Sequence, residues 1–378
     1  MLQRAPAAQR PLFIGSEIYR SSTYGRRHPL AIPRVSTVMD LSRALGWLDD
    51  DVYLDSPRAT PEELARFHTP DYVAAVQAAE AAQRVGDDVR ERTNLGRLEN
   101  PVFGEMFRRP ATAVGGSLAA ADRLVEAWRA GAPATVYNPA GGTHHGRPDR
   151  ASGFCYFNDP VLGILRLLDG GLNRVFYADF DAHHGDGVEA AFADDDRVLT
   201  CSVHEAGRWP MQGTESAQGA TFRNVAVPPG FHDDELAAVV AEVVLPLADA
   251  FAPEAVVIQG GADALAEDPL SKLSLSNRAL WHAVQQARTV APLALVLGGG
   301  GYNPWSVARA WTGVWAGLNG IEVPARLPAP GEAVLRALRW RRAAGRNPPD
   351  HWFTTLADVP RGGPVRDEVR RAIAAAAP

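Results

Sequence analysis

Two adjacent-histidine pairs stand in glycine-rich settings, His144-His145 in GGTHHG and His183-His184 in DAHHGDG. The second closes an apolar run, Tyr177-Ala-Asp-Phe-Asp-Ala-His-His-Gly-Asp-Gly187. Alternation along an extended chain puts Asp179, Asp181 and His183 on one face, provided that the strand persists past Asp181. Ionisable groups on the buried face of a core strand are costly unless paired or bound to metal, so a metal is the economical partner. Another apolar run, Ala255-Val-Val-Ile-Gln-Gly, ends in Gly261-Ala262-Asp263 and supplies a further carboxylate. Asp181, His183 and Asp263 then offer one nitrogen and two carboxylates and leave a position for water, the open arrangement of a catalytic zinc site.

A third run, ATVYN, leads into His144-His145, which can supply a general base and a second imidazole, each needing an acceptor to fix its tautomer. Asp179 and Asp186 are available as those acceptors. A fourth run ends Gly298-Gly-Gly-Gly301-Tyr302-Asn303, where glycines let backbone approach a pocket closely and leave one phenol at its rim. That hydroxyl could donate to an oxyanion developing on a carbonyl substrate. A dinuclear manganese hydrolase of the arginase kind is the nearest competitor, since DAH after a strand also serves there. It needs bridging carboxylates, and here the next acid after His183 is Asp186, while Leu265 stands two residues after Asp263. One metal is favoured. Taken singly, a histidine pair is a satisfied surface pair, four glycines a turn and Asp263 a helix cap. Four such clusters at four successive strand ends are better explained by one site.

The elements that position these residues read as alternating strands and helices. Short apolar runs at 134–138, 174–181, 197–203, 255–260 and 293–299 are each followed by glycine or polar residues and an amphipathic segment, the pattern of a parallel α/β sheet. Leu236, Val239, Val240, Val243, Val244 and Leu247 recur at helical spacing, and Pro246 is expected to bend or interrupt that helix. The first 130 residues read as helices covering the sheet, with Thr60-Pro61-Glu62-Glu63 as a helix start and 86–105 as a long surface loop. One catalytic domain spanning 1–378 is expected, with about 323–378 a Pro- and Arg-rich extension anchored through Trp340, Trp352, Phe353 and Leu356. The chain of 378 residues carries 44 acidic and 38 basic side chains, a net charge of −6 that argues against a nucleic-acid partner. Two cysteines, Cys155 and Cys201, are too few for a disulfide scaffold. The first 20 residues hold no apolar run of leader length, and no membrane-spanning stretch occurs, so a cytoplasmic protein is expected, its self-association left open.

From about His28 to Gly320 the chain resembles the zinc-dependent histone deacetylases, including their bacterial acetoin-utilisation branch. The resemblance rests on GGTHHGRPDRASGFCYFND (141–159), YADFDAHHGDGVEAAF (177–192), GADALAEDPL (261–270) and LGGGGYNPWSVARAW (297–311). It implies the arginase/deacetylase-like three-layer α/β fold with a central eight-stranded parallel sheet. It also implies a single Zn2+ on Asp181, His183 and Asp263, with His145 as general base and acid. His144 would pair with Asp179 and His145 with Asp186, and Tyr302 would polarise the amide carbonyl. Gly153 and Phe154 would line an acyl-lysine tunnel, Leu270 would sit near its mouth, and either Trp209 or Met211 would form the opposite wall. A structural K+ would use Asp179 and Ser202 with backbone carbonyls around Asp181, His183 and Val203. Where the family's rim loop shows an Asp before Cys-Pro, this chain has Glu99-Asn100-Pro101, which departs from the usual peptide contact. Leu270 stands where the polyamine-selective branch has an acid. The implied reaction is hydrolysis of acetyl or short acyl groups from lysine or a related amine. Its alternatives are a small metabolic or xenobiotic amide as substrate, and a non-catalytic acyl-lysine binding protein.

Overall fold

The computed structural model describes residues 10–25 and 28–378, so the reading of the first 20 residues as free of a leader lies partly outside it. Nine strands form one sheet among the described residues: β1 (Leu12–Gly15), β2 (Tyr53–Asp55), β3 (Ala134–Asn138), β4 (Val175–Asp179), β5 (Val198–Glu205), β6 (Ala217–Gln218), β7 (Phe222–Val227), β8 (Ala255–Gln259) and β9 (Leu293–Leu297). Their order is β2-β1-β3-β9-β8-β4-β5-β7-β6. The first eight in that order run parallel, and β6 adds a two-residue antiparallel edge. All five apolar runs of the sequence are strands of its centre.

Register is what brings the motifs together. Asn138 pairs with Leu297, Leu297 with Gln259, Gln259 with Asp179, and Asp179 with Ser202. The carboxyl ends of β3, β9, β8 and β4 are therefore level, with β5 running three residues further, and the loops that follow them open on one edge, where parallel α/β sheets place their sites. The alternation of side chains sorts the strand residues into two cores. Phe176, Ala178, Val256, Ile258, Ala294 and Val296 pack with the helices Asp233–Val239, Asn277–Arg288 and Pro304–Leu318. Val175, Tyr177, Val257 and Leu295 pack on the other face against Arg108–Arg129 and Asp159–Asp169. Helices on both faces give the three layers.

Several local expectations change. The extended conformation ends at Asp179 rather than passing Asp181, because Asp179 Oδ1 accepts the Asp181 N–H at 3.0 Å and Asp181 Oδ1 accepts that of His183 at 3.0 Å. Two consecutive side-chain turns, not strand alternation, aim the acids. The first 130 residues contribute β1 and β2 to the sheet as well as covering helices; strands of four and three residues are too short to carry a period. Within 86–105 a helix, Asp87–Thr93, replaces part of the expected loop, with Arg92 paired to Asp88 at 3.1 Å and Asn94 closing it at φ 55°. The capping box at Thr60 and Glu63 forms as read. Around Pro246 the helix continues, but through a wide π turn, Val240–Val244, that absorbs the missing N–H. Val369, Ala372 and Ile373 of the last helix, Asp367–Ala376, join the core beside β7. Among the described residues no helix is long and apolar enough to cross a membrane.

Candidate active site

The turn after β4 and the loop after β8 bring Asp181, His183 and Asp263 together, with one ligand atom from each within 4.8 Å of the others. All three are buried. His183 Nδ1 lies 2.9 Å from Asp263 Oδ2 and 3.2 Å from Asp181 Oδ1. Backbone closes in around the acids: a Cβ on Gly300 would come within 1.9 Å of Asp263 Oδ2, and one on Gly261 within 2.3 Å of Asp181 Oδ2. Gly300 also donates its N–H to Asp181 Oδ2 at 2.6 Å. Burial and the adjacent Asp181 push the Asp263 carboxyl up, while against burial His144 and His183 hold that of Asp181 down. Burial opposes charge on His183 too, yet Asp263 and Asp181 hold it at about 10. Two buried acids facing one imidazole in a glycine cradle call for a cation, and one nitrogen with two carboxylates suits a divalent metal.

The loop after β3 sets the two other imidazoles. Asp159 accepts the N–H groups of Gly142 at 3.0 Å and Thr143 at 2.8 Å, and Asn158 Nδ2 donates to the carbonyls of His144 at 3.2 Å and Gly146 at 3.0 Å. Neither clamp has a local sequence signature, because each joins residues 12 to 17 apart across a loop. His144 Nδ1 donates to Asp179 Oδ2 at 2.8 Å and His145 Nδ1 to Asp186 Oδ1 at 2.7 Å. Their environments differ sharply. Burial opposes charge on His144, but Asp179 and Asp181 outweigh it and hold the ring at about 9. Burial, reinforced by the His144 charge, brings His145 down to about 3, leaving a neutral ring with Nε2 free to accept a proton. Arg147 pairs with Asp186, and the Tyr177 hydroxyl donates to Asp179 Oδ2 at 2.7 Å.

A tunnel reaches His145 and His183 between Gly153, Phe154, Trp209, Leu270 and Tyr302, and Glu99 and Arg208 also line it. Phe154 lies at φ 69°, a left-handed conformation that a bulky side chain avoids, and its N–H donates to Asn100 Oδ1 at 3.1 Å. Gly153 must be glycine for space, because its Cβ would meet the Trp209 ring at 2.3 Å. The Trp209 ring stands edge-on to His145 with centroids 4.6 Å apart, and Tyr302 edge-on to Phe154 at 5.8 Å. Met211, the other candidate for the wall, is 64% exposed and outside the tunnel. Ser202 and Val203 are buried in β5, with Ser202 opposite Asp179 and its hydroxyl accepting the Gly185 N–H at 3.3 Å. A further cavity, bordered by His144, Asp181 and Tyr302, contains the half-buried Arg34, whose Nη1 donates to the Gly299 carbonyl at 2.7 Å. Arg34 and Gln259, which reaches Asp181 at 3.4 Å, were legible only as an isolated arginine and a polar strand end.

Fold and site define a class: a parallel α/β protein whose strand ends carry a buried acid–histidine–acid cradle flanked by two His–Asp pairs. Comparison with known proteins narrows it. The histone deacetylase domain model matches residues 28–318. The acetoin utilization protein AcuC of Bacillus subtilis (strain 168) is 34% identical over 331 residues, 84% of each chain. Putative histone deacetylase 2 of Caenorhabditis elegans is 36% identical over 306 residues, 78% of this chain and 59% of that one. The crystal structure of an HDAC homolog from Aquifex aeolicus matches with a TM-score of 0.90 at 37% identity, over 97% of this chain and 100% of that one. The chain belongs to the histone deacetylase family.

Proposed function

We propose that this chain is a zinc-dependent amide hydrolase that removes acetyl or another short acyl group from acylated lysine or a related amine. The observation that carries this reading is the meeting of the Asp181–His183–Asp263 cradle, the His145–Asp186 pair and Tyr302 at the foot of one tunnel. Zinc held by Asp181, His183 and Asp263 would supply a Lewis acid for the acyl carbonyl and lower the pKa of a water towards about 7. His145, neutral and oriented by Asp186, takes the water proton on Nε2 and delivers it to the departing amine nitrogen. His144, charged against Asp179, offsets negative charge without exchanging that proton. The Tyr302 hydroxyl donates to the carbonyl oxygen as it becomes an oxyanion. Phe154, Gly153 and Trp209 sheathe the alkyl chain, and Leu270 supplies no charge of its own to a second ammonium. A K+ beside Asp179 and Ser202 belongs to the same reading, as does a cytoplasmic location, which accords with two free buried cysteines.

Purified protein is expected to hold about one zinc per chain and to hydrolyse acetyl-lysine peptides in a panel that also contains acetylpolyamines and small anilides. Asp181→Ala or Asp263→Ala should remove both metal and turnover. Tyr302→Phe should keep the metal and lose about 10²–10³ in kcat, the usual loss for one oxyanion donor. Preference for anilides would replace lysine by a small amide. Tight acyl-lysine binding with no turnover by the zinc-loaded wild type would make this a binding protein instead. Two catalytic transition metals per chain would overturn the single-metal site.

A further inference from the structure

Tyr302 is carried by a backbone with little rigidity of its own. Four glycines precede it, and Gly299 and Gly301 stand at φ 131° and 138°. A catalytic group nevertheless has to be held within about 0.5 Å of its working position. Arg34 restrains the loop from one side through the Gly299 carbonyl. From the other side Asp268 Oδ2 accepts the Tyr302 N–H at 2.6 Å. The second oxygen of the same carboxylate accepts the Leu270 N–H at 2.9 Å, so one side chain ties the glycine loop to the loop at the tunnel mouth. Asp268 is 7% exposed, and the charged side chains that bear on it most are Asp263 and His183. A buried acid needs hydrogen-bond donors to offset the loss of water. Two converging N–H donors explain its chemistry: an amide side chain has one acceptor and would turn its own N–H2 on the second donor.

We propose that Asp268 is a positioning residue, which fixes Tyr302 for the oxyanion and couples that placement to the tunnel mouth at Leu270. The inference rests on the role given to Tyr302 above. It requires that changes at Asp268 act on catalysis through the phenol.

The test is a double-mutant cycle of Asp268→Asn with Tyr302→Phe, with kcat, KM, zinc content and thermal midpoint measured on all four proteins. In the wild-type background Asp268→Asn should lower kcat by about tenfold to 10²-fold, as misplacing a reacting group by about 1 Å does. KM should move less than kcat, and zinc should stay bound. In the Tyr302→Phe background the same change should cost less than about twofold, because its target is already gone. Equal losses in both backgrounds, or no loss in the first, overturn the inference while leaving the proposed reaction standing. A zinc-loaded wild type that hydrolyses no acylated amine removes the reaction itself, and the inference with it. If Asp268→Asn does not fold, Asp268→Glu, which keeps both acceptors on a longer stem, replaces it in the cycle with an intermediate loss expected. Failure of both to fold makes Asp268 a folding residue and overturns the proposal.

Discussion

His144 and His145 are neighbours in the chain with ring centroids 3.9 Å apart, yet their surroundings shift them in opposite directions, His144 up and His145 down. Asp179 and Asp181 both bear on His144, whereas His145 meets Asp186, whose charge is shared with Arg147. A ring that already carries its proton cannot take another from water, so in the proposed mechanism the base is His145, the ring whose surroundings favour the neutral form. His145→Ala should therefore lose about 10²–10⁴ in turnover, the usual contribution of a general acid–base group. His144→Ala should lose less, and both should retain metal, as steady-state rates with elemental analysis will show. The reverse order would exchange the two roles.

At the scale of elements, the tunnel wall depends on how its loop is tied down. His204 Nε2 donates to the Gly213 carbonyl at 2.7 Å, and Glu205 binds Arg208 at 2.7 Å and the Lys272 N–H at 2.8 Å, joining the loops on two sides of the mouth. Trp209 is thereby held on the tunnel while Met211 points away. Trp209→Ala should raise KM for an acyl-lysine peptide by roughly tenfold or more, the worth of an apolar pocket contact, and Met211→Ala should leave it unchanged. A second element-scale effect is titratable. His68 Nδ1 donates to the Arg147 carbonyl at 2.9 Å and its Nε2 accepts the Asn158 N–H at 3.0 Å, pinning the start of the helix Asp159–Asp169. Burial brings this ring down to about 4 from 6.5. Above pH 6.5 it is neutral in both folded and unfolded chains and its contribution is complete. As pH falls from 6.5 towards 4 the unfolded chain binds the proton first, so stability drops, by roughly 2 kcal/mol at pH 5 from this group. Urea unfolding at pH 7 and pH 5 should show a smaller drop for His68→Gln than for the wild type.

At the scale of the whole molecule, the C-terminal residues are part of the scaffold beneath the site. Trp352 stacks on Trp305 with centroids 5.2 Å apart, in the helix that begins at the Tyr302 loop. Asp358 pairs with the fully buried Arg309 of that helix at 2.6 Å, and its other oxygen accepts the Asn277 N–H at 3.0 Å. Asp358→Ala leaves a guanidinium buried without its partner and should cost about 3–5 kcal/mol in urea unfolding. A loss below 1 kcal/mol, on the order of an exposed pair, would show that solvent reaches Arg309.

Local pattern alone located where chemistry could be. Polar clusters after apolar runs marked the ends of β3, β4, β8 and β9, because period-2 apolar segments and glycine loops are local signals. The acid–histidine–acid group and both His–Asp pairings were likewise legible, through residue type and resemblance. Tertiary structure decided everything that depends on partners far apart in the chain. His145 is oriented by Asp186, 41 residues on, and set apart from its neighbour by burial and the adjacent His144, which no local pattern expresses. Trp209 rather than Met211 faces the tunnel because a loop is pinned by His204 and Glu205. β1 and β2 escaped notice because strands of four and three residues acquire their stability from sheet neighbours, not from period. Asp268 carries no motif of its own: its importance comes from two backbone N–H groups, one of them 34 residues away, that meet only when the sheet levels the strand ends.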